Sequence, residues 1–147
     1  MSAYIDSAII AKLYCEEPNS SEAVRLVSRF TPPLWFSPLQ DIEIRNAWRL
    51  KQFRGELDES SADRAISRLD SDIASGLYRR SAIDFETVAG KAEQLSASHS
   101  RQIGCRSLDI LHVAYALSVG VENFASYDKR QRDLARKAGL QIHPRRS

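Results

Sequence analysis

Short apolar runs alternate along the chain with longer stretches whose apolar residues recur at helical spacing, the pattern of strands feeding helices. Ala3-Tyr4-Ile5 reads as a first strand ended by Asp6, and Ser7 to Tyr14 as a helix. Glu16 to Ser20 breaks that periodicity; Ser20 or Ser21 then caps a helix reaching about Phe30, closed by Pro32-Pro33. Leu34-Trp35-Phe36 predicts a second strand. Ser37-Pro38-Leu39-Gln40 has the form of a capping box with proline at the first helical position, so a long helix starts there and runs to about Gly55. Leu57 to Gly76 reads as an amphipathic outer helix whose many acids form a solvated face, and a short strand falls between Leu77 and Ile83. Asp84 caps a helix through Leu95 to about Ser98, and His99 to Gly104 reads as a polar loop with His99 exposed.

The most apolar helix begins at Ser107, a residue suited to the N-cap, and leaves almost no solvent face through Leu117. Asp109 sits in its first turn, and a buried carboxylate needs a cation, a metal or a proton. Gly120 stops that helix, Val121 to Ser126 predicts a strand, and Asp128 with Gln131 fits a capping box for a helix to Ala138. Leu140-Gln141-Ile142 reads as the last strand, followed by a frayed basic tail from His143 to Ser147. Strands alternating with helices argue for an α/β fold whose parallel sheet is covered on both faces, with a ligand crevice at the carboxyl ends of the strands. Asp6 at a strand end, Glu43 and Asp109 on inward-facing helices, and Asp128 after a later strand could meet in that crevice. Asp41 is set aside because it pairs at i+4 with Arg45. Clustered carboxylates repel, and hard divalent cations relieve the repulsion while leaving room for water and a substrate phosphate.

Composition narrows the setting. A chain of 147 residues with 43% hydrophobic and 27% charged residues fits one compact domain, residues 1–147, with a sizeable core. No apolar run reaches membrane-spanning length and no basic segment precedes an apolar leader, so a cytoplasmic protein away from membranes is expected. Cys15 and Cys105 stand too far apart for a metal-ligand spacing and read as reduced, buried small residues. The net charge of +2 does not by itself mark a nucleic-acid binder, although most of the 21 basic residues are arginine, whose planar fork suits phosphate.

Tyr4-Ile5-Asp6-Ser7, then Glu43 in the Ser37 to Glu43 stretch, then Leu108-Asp109-Ile110-Leu111-His112, then Ser126-Tyr127-Asp128-Lys129-Arg130 and finally Gly139-Leu140 together resemble the PIN-domain ribonucleases. More narrowly, they resemble the VapC toxins of bacterial toxin–antitoxin pairs, over essentially the whole chain. The resemblance implies a three-layer α/β/α sandwich around a central parallel sheet. It also implies a metal-dependent endoribonuclease that is usually dimeric and is held inactive by a cognate antitoxin. On this likeness Asp6, Glu43 and Asp109 match the acids that hold Mg2+ or Mn2+, Asp128 matches a fourth, and Ser126 matches a small polar position beside them. His112 is expected to pack or hydrogen-bond, since the likeness places no ligand there. Arg106, Lys129, Arg130 and Arg132 flank the acids in sequence and are candidate contacts for the RNA backbone. A PIN-fold module that binds RNA or protein with little turnover is the alternative. A DNA-directed nuclease would use the same metal chemistry, and a phosphoacceptor domain would need a second acid beside Asp6 that the first strand lacks.

Overall fold

Successive side chains of a strand point to opposite faces, and here each face meets its own core. Ala3 and Ile5 of β1 (Ala3–Ile5), Leu34 and Phe36 of β2 (Leu34–Phe36) and Ala125 of β4 (Asn123–Ala125) enter one core. Tyr4, Trp35 and Phe124, the residues between them, and Ile142 of β5 (Gln141–His143) enter the other. The first core is closed by α1 (Ser7–Ala11), α2 (Ser20–Val27), α3 (Pro38–Phe53) and α4 (Glu59–Ala74). The second is closed by α5 (Phe85–Ile103), α6 (Ser107–Val119) and α7 (Lys129–Lys137). The result is the three-layer α/β/α arrangement, seen in a computed structural model that describes residues 1–146.

All the strand pairings are parallel. β1 pairs with β4 in the register Tyr4 to Phe124, and β4 pairs with β5 in the register Phe124 to Ile142. β2 pairs with β3 (Tyr78–Arg80) as a second ladder lying along the free edge of β1, where Gln40 Nε2 donates to the Ile5 carbonyl. The chain therefore moves outward from β1 through β2 and β3, then returns to the other side of β1 with β4. That reversal is the point where open parallel sheets part their loops and place ligands, and the carboxyl ends of β1 and β4 lie there. No helix among the described residues is long and apolar enough to cross a membrane.

The capping box of α3 forms as its sequence predicts: Ser37 Oγ accepts from the Gln40 N–H at 3.2 Å, and Gln40 Oε1 accepts from the Ser37 N–H at 2.7 Å. Other boundaries differ. α1 ends at Ala11, because Lys12, Leu13 and Tyr14 bond three residues back and tighten into turns. α5 continues through the stretch read as a loop and stops at Gly104, whose φ of 72° suits glycine. His99 is accordingly half-buried on a helix. Arg106, not Ser107, is the residue that precedes α6, which moves Asp109 to the third helical position. The basic tail is not frayed from its first residue, since His143 belongs to β5, contacts Asn123 Oδ1 at 2.8 Å and packs edge-on against Phe30. Ser147, the last residue of that tail, lies outside the described residues.

Candidate active site

Asp6 leaves β1 with its N–H on the Ala125 carbonyl at 2.8 Å, so the β1–β4 ladder extends to the residue itself. It occupies the N-cap of α1 in an extended conformation, yet its side chain makes no capping bond. The carboxylate turns instead toward the crevice, where Ser126 Oγ donates to Oδ2 at 3.1 Å. Ser126 is fully buried and also accepts from the Asp128 N–H at 3.0 Å, so one hydroxyl joins the ends of β1 and β4 to the start of α7. Burial raises the Asp6 carboxyl above the ordinary aspartate range, and the Glu43 charge adds to that; His112 and the Ser126 hydroxyl oppose it without cancelling it.

Glu43 projects from α3 and accepts from Ser7 Oγ at 2.9 Å and from His112 Nε2. Burial would raise its carboxyl, but the hydrogen bond and electrostatic influence of His112, with Ser7, outweigh burial and leave it below the ordinary glutamate range. His112 is almost fully buried, and its Nδ1 lies 2.8 Å from Tyr4 Oη, which in turn lies 2.9 Å from Ser37 Oγ. A run of bonds thus passes from the cap of α3 through β1 and α6 to Glu43. His112 has the hydrogen-bonding role expected of it.

Asp109, 2% exposed, finds its cation next door. Its Oδ2 accepts from Arg106 N at 3.1 Å and Arg106 Nε at 3.3 Å, while Gln131 Nε2 donates to Oδ1 at 3.3 Å. Arg106 also reaches Asp128, with Nη2 3.8 Å from Oδ2. Asp128 caps α7 through the Gln131 N–H at 3.0 Å and keeps its other oxygen toward Arg106.

All four acids, Asp6, Glu43, Asp109 and Asp128, line one cavity of about 550 Å3, together with Ser7, Lys12, Arg106 and Gln131. Among the described residues no three Asp, Glu, His or Cys side chains converge tightly enough to form a closed ligand cage. Each carboxylate is held by its own protein donor around a shared opening. Such a site suits Mg2+ or Mn2+, which bind through one or two carboxylates and keep several waters. Gln131 supports the fit: its Nε2 is fixed on Asp109, and its buried Oε1 has no partner among the described residues. An orphaned acceptor at the wall of an acid-lined cavity is matched to a cation or to a water that donates.

Several of these residues escape a reading by sequence. Gln131 shows there only as a capping-box partner of Asp128, and Ser7 only as the residue after Asp6. Among the residues expected to contact the RNA backbone, Arg106 borders the pocket but is engaged with two of its acids. Lys129 pairs with Asp133 at 2.6 Å on the surface, and Arg130 is exposed outside the pocket. Arg132 turns inward to the Ser126 and Pro144 carbonyls, both at 2.8 Å. Asp41 is held by Arg45, as its i+4 spacing foretells.

The chain is similar to known proteins along nearly all its length. Ribonuclease VapC46 of Mycobacterium tuberculosis (strain ATCC 25618 / H37Rv) is 30% identical over 149 residues, which cover 95% of this chain and 94% of that protein. The crystal structure of FitAcB from Neisseria gonorrhoeae superposes with a TM-score of 0.68 at 18% identity, covering 97% of this chain and 96% of that one, which supports the fold. The PIN domain family model matches residues 3–137, a span holding every acid of the pocket, and the chain belongs to the PIN-domain family.

Proposed function

We propose that this protein is a Mg2+- or Mn2+-dependent endoribonuclease, the toxin of a bacterial toxin–antitoxin pair, acting in the cytoplasm. The observation that carries this reading is the meeting of Asp6, Glu43, Asp109 and Asp128 in one crevice at the sheet's reversal point. The similarity to a protein named as a ribonuclease supplies the substrate class. RNA, a cognate antitoxin and a second copy of the chain are the partners that follow from it.

In this proposal Asp6, Glu43, Asp109 and Asp128 hold the metal. When bound, the ion lowers the pKa of an attacking water and offsets charge on the scissile phosphate. The chain itself supplies position. Ser126 orients Asp6, Ser7 and His112 fix Glu43, and Gln131 with Arg106 fixes Asp109. Arg106 sits where it can compensate negative charge entering the pocket, and Gln131 Oε1 can accept from a water. No side-chain nucleophile is required. The intact set of four acids disfavours a module that only binds.

The test is direct. Purified protein is expected to cut RNA in Mg2+ or Mn2+ and to stop in EDTA, with a DNA of the same sequence run alongside. Metal-independent cleavage, or no cleavage over a broad RNA panel, would count against the reading, and equal cutting of DNA would widen the substrate class. His112→Ala should raise the Mg2+ concentration for half-maximal activity about 10- to 100-fold, the usual cost of losing a partner that orients a metal-binding carboxylate. An unchanged Mg2+ titration would show that Glu43 needs no such support.

A further inference from the structure

A pocket lined by four carboxylates repels the polyanion it is proposed to cut, so affinity for the strand must come from elsewhere on the surface. Immediately beside it lies a second cavity, of about 610 Å3, walled by Arg25 and Arg29 from α2 and the turn after it, by Arg132, and by Arg146 beyond β5. Glu22 is the one carboxylate among the described residues that line it. Among the described residues none of these four arginines forms an ion pair with an acid. Tyr127, which stands between Ser126 and Asp128 and is 39% exposed, lines both this cleft and the acid pocket, so the two are neighbours across one side chain.

Arg132 forms the buried wall of the cleft. It is 7% exposed, and its guanidinium is held by two neutral backbone carbonyls, those of Ser126 and Pro144. A buried cation normally forms an ion pair with a carboxylate, and among the described residues Arg132 forms none. His143 registers the same field: burial, then Arg145, Arg29 and Arg132, hold its imidazole below the usual histidine range. An anion seated among these arginines relieves their mutual repulsion, and the planar guanidinium fork fits phosphate in a bidentate manner.

We propose that the cleft of Arg25, Arg29, Arg132 and Arg146 is the track for the phosphodiester backbone of single-stranded RNA, with Tyr127 stacking on a base at the entrance to the acid pocket. This rests on the nuclease reading for the direction of the strand, but the binding it describes is separable from cleavage. An acidic segment of a protein partner would find the same charge. The exposed aromatic ring shared by the cleft and the acid pocket favours a nucleic acid strand, whose bases stack on such platforms.

The experiment uses the whole protein and a fluorescein-labelled 12-nucleotide RNA, read by anisotropy in EDTA across a range of salt. Arg25→Ala with Arg29→Ala changes two exposed side chains and is expected to weaken binding at least tenfold. It should also flatten the slope of log K against log salt by about 0.7 for each phosphate no longer neutralised. Arg25→Lys with Arg29→Lys should recover most of the slope. Glu22→Gln, which removes the one acid among the described residues of the cleft, should tighten binding about two- to threefold, a gain that misfolding cannot mimic. Tyr127→Ala should cost about tenfold and Tyr127→Phe little, as stacking requires. RNA affinity and slope indifferent to the arginine and Glu22 variants would overturn the proposal. So would loss of binding to a poly-glutamate peptide with RNA binding intact, which would assign the cleft to an acidic protein. Failure of the unaltered protein to cut RNA in Mg2+ would refute the nuclease reading alone, because strand binding is measured without turnover.

Discussion

Asp6→Asn is expected to lower metal-dependent RNA cleavage by about three orders of magnitude, the loss of roughly 4 kcal/mol of stabilisation at the reacting phosphate. In the same protein stripped of metal, it should raise Tm by roughly 3 to 5 °C. Both effects come from one carboxylate. Asp6 is buried beside Glu43, and among the described residues only the Ser126 hydroxyl donates to it from a side chain. Its carboxyl is raised in the folded state, so the folded protein holds that proton more tightly than the unfolded chain. The fold is therefore favoured at low pH and loses that advantage as pH climbs through the raised value. At neutral pH the ionised group is a burden that asparagine, able to accept the same Ser126 bond, does not impose. The gain in Tm should be largest near pH 7 and shrink toward the acidic range. Thermal melts in EDTA at several pH values, beside RNA cleavage in Mg2+, check the pair of outcomes. A variant that is both inactive and less stable at neutral pH would mean that Asp6 is structural.

Phe124→Ala is expected to cost about 3 to 5 kcal/mol of stability, lowering Tm by about 10 °C or more. β4 lies between β1 and β5, and Phe124 is wholly buried on its second-core face. Its ring stacks on that of Tyr4, with centroids 5.7 Å apart and planes 8° from parallel. Removing it opens a cavity under the residue whose hydroxyl contacts His112. Urea titrations supply the stability change. Activity at a temperature where the variant is still folded should fall as well, because Tyr4 and His112 then have room to move away from Glu43.

The order of strands and helices was legible because each core imposes its own period, two along Ala3-Tyr4-Ile5 and Leu34-Trp35-Phe36, near 3.6 along α3 and α7. The four acids were legible for a related reason: a charge at a strand end or in an apolar helix contradicts its surroundings and asks for a ligand. Other features depend on contacts that sequence distance conceals. Gln131 satisfies the capping pattern with its backbone, and nothing in Asp128-Lys129-Arg130-Gln131 indicates that its side chain crosses to Asp109 on α6. The stretch from His99 to Ile103 is polar because it forms the outer end of a helix, a pattern that composition alone shares with a loop. Basic residues next to the acids in sequence were the natural choice for strand contacts. Of these, Lys129 pairs with Asp133 at the surface and Arg132 lines the neighbouring cleft, which Arg25 and Arg29 reach from a region that precedes most of the acids in chain order.

The joining of β1 to β4 also fixes when the protein can become active during its own synthesis. Asp6 is made long before the Ser126 hydroxyl that holds it, which lies 120 residues later, and Asp128 and Gln131 follow that. A nascent chain that has left the ribosome as far as α6 carries Asp6, Glu43 and Asp109 with no β4 to set against β1. The site is completed only once β4 and α7 have emerged, so the arrival of these late elements, rather than early folding around β1, marks the start of its chemistry.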